Sequence, residues 1–139
     1  MGTGQVSMEY LMVASFALLI TIPIIITFYL QSGDINDDIN LNQVDQVARK
    51  VIDTAESVYY LGSPSKTTLK VYMPPHVKEV GILSRDLSFN ITTQAGIINV
   101  VRTSNVNMTG NISEEPGIHH LEVRADPDIV RITDLDWLP

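Results

Sequence analysis

A long apolar segment near the start of the chain constrains the fold more than any other sequence feature. Residues 10–30 form a run of 21 positions in which only the two tyrosines are ionisable. As an α-helix this run would rise roughly 30 Å, about the thickness of a bilayer's hydrocarbon core. Because the run is apolar on all sides, its helix must be surrounded by lipid or by other helices. We therefore predict a transmembrane or helix-buried segment over residues 5–30.

One acidic residue, Glu9, stands directly before the apolar run and inside the predicted helix. An unpaired carboxylate carried toward the bilayer centre costs roughly 3 kcal/mol on insertion scales, which makes such a residue a functional candidate. The first Lys or Arg of the chain is Arg49, so no nearby residue supplies a cation. The sequence therefore predicts that Glu9 finds its partner outside this segment.

The segment GQVSMEY at positions 4–10, followed by the apolar run, resembles the class III signal peptide of archaeal type IV pilins and pilin-like proteins. The resemblance implies a leader of residues 1–4, which a membrane-embedded prepilin peptidase removes by cutting between Gly4 and Gln5. Glu9 would then be the fifth residue of the mature chain. The leader departs from the family in having Thr3 where Lys or Arg is often found.

The same resemblance implies a filament whose core is built from the N-terminal helices of identical subunits. We assign Ser7, Glu9 and Tyr10 to assembly and register on this basis. The expected partners are the peptidase, a membrane assembly platform and its ATPase. The flanks of the apolar run carry no Lys or Arg that would set its orientation by charge. The resemblance instead implies that the N-terminus lies in the cytoplasm and the remaining chain outside the cell.

The composition excludes several function classes. The net charge is −7 and the nine Lys and Arg residues are scattered, without a basic patch, which disfavours nucleic-acid binding. Cysteine is absent, which excludes disulfides, thiolate zinc sites and a cysteine nucleophile. We predict no enzymatic activity, no cofactor and no resident metal.

The chain after the apolar run divides into three predicted parts. Residues 31–41 form a polar connector, residues 42–62 an amphipathic helix, and residues 63–139 a β-rich extracellular domain. The connector has the opening spacing of a calcium loop at Asp34, Asn36 and Asp38, but Ile39 replaces the glycine that such a loop requires, so a solvated connector is favoured.

The amphipathic helix is predicted from apolar residues at three- and four-residue steps. We expect Asn42 and Asp45 to cap its start and residues 62–64 to end it, and we expect Tyr59 in the core. Its polar face is expected to be solvated. The apolar positions are Val44, Val47, Ala48, Val51, Ala55, Val58 and Tyr59.

The β-rich part shows alternating or continuous apolar segments typical of short strands. Residues 97–102 are apolar enough for a central strand, whereas residues 104–116 are predicted to form a loop. The overall prediction is an α+β fold whose strands form a small antiparallel sheet or β-sandwich. The predicted strands are residues 68–73, 77–83, 87–92, 97–102, 119–125 and 128–133.

Three Asn-x-Ser/Thr sequons begin at Asn90, Asn107 and Asn111 and are candidates for N-glycosylation of an external domain. Asn90 is predicted on the polar face of a strand, and the other two in the long loop. His119 and His120 are adjacent, so in a strand they point to opposite faces and cannot bind one metal ion together.

The residues leave three functional hypotheses. The first is a structural subunit of a surface filament, which waits in the membrane as a precursor. The second is a monomeric, membrane-anchored accessory or envelope-binding protein with an external β-sandwich. The third is an anchored hydrolase, for which the carboxylate pairs at Asp126/Asp128 and Asp134/Asp136 are the only candidates for acid–base chemistry.

Overall fold

The computed structural model describes the backbone of residues 3–137 and the side chains of residues 4–137. Met1 and Gly2 of the predicted leader lie outside the described residues. The α+β class is confirmed, because one long helix is followed by a five-stranded sheet. The elements are α1 (Thr3–Leu61), β1 (Lys66–Met73), β2 (Val77–Thr93), β3 (Gly96–Asn111), β4 (Gly117–Ala125) and β5 (Val130–Asp134).

The chain forms two compact units, Met1–Asn36 and Asp37–Pro139. The first contributes the apolar part of α1. The second contains the rest of α1 and the whole sheet, and it holds the hydrophobic core.

The polar connector predicted at residues 31–41 is wrong, because this segment is helical throughout. Single Gly, Asn and Asp residues cost a helix only about 1 kcal/mol or less each, which is too little to break it between two strongly helical segments. The apolar spacing of the amphipathic helix also extends backwards, since Asn40 and Leu41 are half-buried and Leu41 packs against the core. The side chain of Asp37 accepts a hydrogen bond from the backbone N–H of Gln94 at 2.8 Å.

The end of α1 follows the sequence prediction, whereas its predicted start does not. The helix ends at Leu61, and Gly62 adopts a φ of 84°, from which its N–H donates to the carbonyl of Tyr59 at 3.0 Å. A positive φ at this position is the usual reason for glycine after a helix. Asn42 caps nothing, because the helix is already continuous there.

The apolar stripe of α1 packs into the core of the second unit, as predicted. The central helical side chains are fully buried, and Tyr59 is partly buried against the core. Tyr60 is exposed. The buried helical residues are Val44, Val47, Ala48, Val51, Ile52, Ala55 and Val58.

The five strands form one sheet in the order β1-β4-β5-β3-β2. All neighbours are antiparallel except β3 and β5, which are parallel, so the sheet is mixed rather than wholly antiparallel and is not a two-sheet sandwich. The strands predicted at 77–83 and 87–92 are both part of β2. A register shift between Ser84 and Asp86 interrupts the alternation there, which explains why the pattern predicts two strands.

The predicted loop at residues 104–116 is also wrong over its first half, because β3 continues to Asn111. Ser104, Val106 and Met108 are buried, in the two-residue alternation of a strand. The central strand predicted at 97–102 is instead exposed, with Ile97 at 72% accessibility. Within the described sheet this half of β3 pairs with β2 alone, since its pairing with β5 begins at Met108.

The polar face of the amphipathic segment is not simply solvated, because two of its carboxylates bind the sheet. Asp45 accepts hydrogen bonds from Arg49 at 2.9 Å and from Arg102 of β3 at 2.6 Å. These two guanidinium groups hold the pKa of Asp45 below its ordinary value, the bond from Arg49 contributing most. Glu56 Oε1 accepts from the backbone N–H of Asn105 at 2.8 Å.

Candidate functional site: the exposed apolar helix

The first unit presents an apolar helix with almost no cover. Every side chain from Gly4 to Leu30 is exposed except that of Ala14, which is half-buried. Leu11, Phe16 and Phe28 are each at least 66% accessible. Apolar surface in water costs about 25 cal/mol per Å², so a stretch of this length is a surface for burial in lipid or against protein.

This helix is long and apolar enough to cross a membrane. The prediction of a helix through the apolar run is therefore confirmed, and membrane anchoring is compatible with it. Between residues 10 and 30, apolar side chains lie on every side of the helix, so its exposed surface has no continuous polar stripe.

Glu9 lies on this exposed surface, within the helix and one turn after Gln5. Ser7 and Tyr10, which the resemblance assigns to assembly, are also exposed, and Tyr10 is 76% accessible. Among residues 3–137, no Lys, Arg or His forms an ion pair with Glu9. Its carboxylate is thus presented outward at the start of the apolar run.

The predicted cleavage site, Gly4–Gln5, is helical in this structure. A Cβ added at Gly4 would meet no atom of the described residues within 4 Å. A larger residue at position 4 is therefore compatible with the helix itself.

Pro23 lies inside the apolar helix, where it cannot donate to the carbonyl of Leu19. Thr27, one turn further along, donates its hydroxyl to the carbonyl of Pro23 at 2.8 Å. This bond follows the common pattern of a hydroxyl bonding one turn back and does not replace the lost donor at Leu19.

Asn90 lies on the polar face of its strand, as predicted, whereas the other two sequons do not lie in the predicted loop. Asn90 is half-buried on β2, and its Nδ2, the atom that carries a glycan, donates to Glu79 at 3.1 Å. Asn107 and Asn111 are exposed, but on β3 and not in a loop. Exposure leaves the two β3 sequons as the more accessible acceptors.

His119 and His120 point to opposite faces of β4, as predicted, so that His119 is buried and His120 exposed. The exposed ring approaches Asp136 at 2.9 Å, and the backbone N–H of His120 donates to the same oxygen at 2.7 Å. The hydrogen bond from the His120 side chain, together with that backbone bond, lowers the pKa of Asp136.

The buried ring of His119 lies beside Asp134, with Nδ1 and Oδ2 2.9 Å apart. The sequence treats Asp134 and Asp136 as a separate acidic pair, and it does not connect them with His119. The antiparallel pairing of β4 with β5 brings these three residues together. Short-range spacing gives no signal of this, because the residues are 15 and 17 positions apart.

The other acidic pair has a plainer environment. Asp126 forms surface ion pairs with Arg131 at 3.3 Å and with Arg124 at 3.9 Å, and Asp128 is exposed. Exposed carboxylates bound by arginine are common stabilising contacts of little strength.

Comparison of the chain with protein-family models, curated proteins and solved structures finds no match. Functional inference therefore depends on the residues and their geometry.

Proposed function

We propose that this chain is a structural subunit of an archaeal type IV pilus-like surface filament, which polymerises through its N-terminal helix. The observation that carries the proposal is the uncovered apolar helix with a single carboxylate, Glu9, at its start. Such a helix is stable in lipid as a precursor and among sister helices after assembly. The resemblance of residues 4–10 to a class III signal peptide supports the same function.

In this mechanism the precursor waits in the cell membrane until the peptidase cuts between Gly4 and Gln5. Cleavage creates a cationic amine on Gln5. In the water-free filament core, Glu9 of one subunit pairs with that amine on a neighbouring subunit. A subunit in the wrong register would bury an unpaired charge at a cost of several kcal/mol, so the pair selects one stagger.

The remaining partners follow from this mechanism. A membrane platform and its ATPase move each subunit out of the bilayer, and identical subunits complete the filament. The second unit forms the outer, acidic surface, on which Asn107 and Asn111 are the accessible sites for glycans. Adhesion is a role suited to such a surface. The chain acts as a structural protein and not as an enzyme.

Substitution of Glu9 by Gln tests the proposal, because it removes the charge and keeps the size of the side chain. We expect a subunit that is still inserted and cleaved but that gives at least tenfold fewer filaments in the sheared surface fraction. Glu114→Gln is the matched control, since Glu114 is an exposed carboxylate of the second unit. Normal filament yield from Glu9→Gln would refute the register role.

A second candidate is a monomeric, membrane-anchored accessory or envelope-binding protein. It is favoured by one observation, namely that the apolar helix is long enough to cross a bilayer without any partner. Shearing of cells separates the two candidates. A filament subunit leaves with the sheared material, whereas an anchored accessory protein stays with the membranes as intact, unassembled chains.

A further inference from the structure

Three side chains from different parts of the sheet converge at one end of β4 and β5. His119 lies on β4, Asp134 is the last residue of β5, and Asp136 follows two residues later. One ligand atom from each lies within 4.8 Å of the other two. His119 and Asp134 are buried, and Asp136 is exposed, so the cluster opens to solvent on one side only.

The ring of His119 shows that this cluster needs a positive charge. Its Nε2 lies 2.7 Å from the backbone carbonyl oxygen of Glu115, and because a carbonyl only accepts, Nε2 must carry a proton. In the neutral ring Nδ1 then carries no proton and presents a lone pair. That lone pair would be 2.9 Å from the carboxylate oxygen Oδ2 of Asp134, an arrangement that is repulsive unless a cation or a second proton intervenes.

The position of the Asp134 oxygen favours a metal ion over a second proton. Among residues 4–137, no side chain or backbone group forms a hydrogen bond with Nδ1 of His119, and the side chain of His119 is only 7% accessible. The oxygen is thus close to Nδ1 but lies away from the direction in which an N–H bond would point. Two ligands of one ion, each about 2.0–2.1 Å from it, are about 2.9–3.4 Å apart at angles of 90–110°, and the observed distance falls in that range.

The two carboxylates are held in place by backbone donors. Asp134 accepts from the N–H groups of Ser113 at 3.0 Å and of Asp136 at 3.1 Å. Asp136 accepts from the N–H of His120 at 2.7 Å. The His120 ring also lies 2.9 Å from the same Asp136 oxygen, Oδ2, so the lone pairs left for another partner are those of Asp134 and of the second oxygen of Asp136. A histidine whose second nitrogen donates to a carbonyl is the usual arrangement around a bound metal.

We propose that His119 Nδ1, Asp134 and Asp136 bind a divalent transition-metal ion of the zinc type. An imidazole nitrogen with two carboxylates suits Zn²⁺, whereas Ca²⁺ takes six to eight oxygen ligands and Mg²⁺ an octahedron of oxygens. The exposed side at Asp136 supplies the entry path and a coordination position for water. A bound ion would link β4, the end of β5 and the segment that follows β5.

The site can be tested on the full chain in detergent micelles after treatment with a chelator. Trp137, the only tryptophan, directly follows Asp136, so its fluorescence provides a local signal. Titration with ZnCl₂ is expected to change this fluorescence with a stoichiometry of one ion per chain and to raise the midpoint of thermal unfolding. The absence of saturable Zn²⁺ binding, or stronger binding of Ca²⁺ than of Zn²⁺, would overturn the proposal.

Variants assign the signal to these residues. Asp136→Asn, at an exposed position, is expected to weaken Zn²⁺ binding at least tenfold while the chain stays folded, and His119→Gln is expected to remove binding. Asp128→Asn and His76→Gln are the matched controls, because both are exposed residues outside the cluster. Equal affinity of Asp136→Asn and the parent chain, or a loss of binding in His76→Gln alone, would contradict the assignment.

Discussion

At the residue scale, Gly110 occupies a position where the fold leaves no room for a Cβ atom. Its φ is 143°, and a Cβ there would lie 1.8 Å from the carbonyl oxygen of Ile132 on the parallel neighbour β5. Because the obstacle is backbone, it cannot move without separating the two strands. The parallel pair, which local sequence patterns do not predict, thus depends on one glycine that they do not single out.

Gly110→Ala is therefore expected to destabilise the second unit by about 2–4 kcal/mol. Gly96→Ala provides the control, because Gly96 has a φ of 127° and nothing within 4 Å of the added Cβ. Denaturant unfolding of the full chain in detergent, followed by Trp137 fluorescence, measures both. Equal losses in the two variants would show that the positive φ alone, and not the contact with β5, makes glycine necessary.

Asp45 gives a prediction about pH. The hydrogen bonds from Arg49 and Arg102 lower its pKa in the folded chain below the unfolded value of about 4. Its ion pairs therefore contribute stability that is fully present above about pH 4 and is lost as the pH falls through the lowered folded pKa. Asp45→Asn should cost about 0.5–1 kcal/mol at pH 7.

The measurement is the free energy of unfolding of Asp45→Asn and of the parent chain at pH 7 and at pH 3. We expect the gap between the two proteins to shrink at pH 3, because this pH lies below the unfolded pKa of about 4 and the unfolded parent chain then binds the proton. A gap that is the same at both pH values would mean that the charge of Asp45 contributes nothing.

At the element scale, the amphipathic part of α1 is held to β3 by Glu56. One oxygen of this carboxylate accepts from the Ser104 hydroxyl at 3.2 Å and from the backbone and side-chain N–H groups of Asn105 at 2.8 and 3.2 Å. Glu56→Ala should cost about 1–2 kcal/mol, because hydrogen bonds to a charged acceptor are stronger than neutral ones. Asp53→Ala, at an exposed position on the same helix, should change stability by less than about 0.5 kcal/mol. Thermal unfolding of the two variants checks this. If Glu56→Ala were as stable as Asp53→Ala, the hydrogen bonds of Glu56 would contribute nothing to holding the helix against the sheet.

The elements also show what the sequence can and cannot predict. The stripe of α1 from Val44 to Val58 and the alternation of β1 and β4 were predictable, because each depends on residues only two to four positions apart. The second half of β3 was missed because its Asn, Ser, Thr and Gly residues resemble a loop, although Val106 and Met108 keep the strand period. The register shift in β2 was hidden because only pairing with another strand reveals it.

The candidate sites also differ in how far apart their residues lie in the sequence. Glu9 is recognisable in sequence, because its surroundings are a continuous segment of seven residues, 4–10, followed by the apolar run. The cluster at His119 is not, since it exists only where β4 pairs with β5 and the chain after β5 turns back. Long-range pairing of this kind leaves no local pattern.

At the scale of the whole molecule, the chain combines a unit with a buried core and a unit with almost none. Val44, Val51 and Ala55 are fully buried, whereas the large apolar residues between Val6 and Leu30 are at least 47% accessible. The first unit therefore obtains its burial from its surroundings. In the proposed filament these surroundings change from lipid to sister helices when the leader is removed.

The most direct test is to shear surface filaments from cells that make this chain and to determine the N-terminus of the purified subunit by mass spectrometry. The proposed filament function predicts filaments built from this chain with Gln5 as the first residue. It also predicts no filaments from Gly4→Val, whose uncut precursor should remain folded in the membrane. Uncleaved chains that remain singly in the membrane, while the filaments consist of another protein, would contradict it.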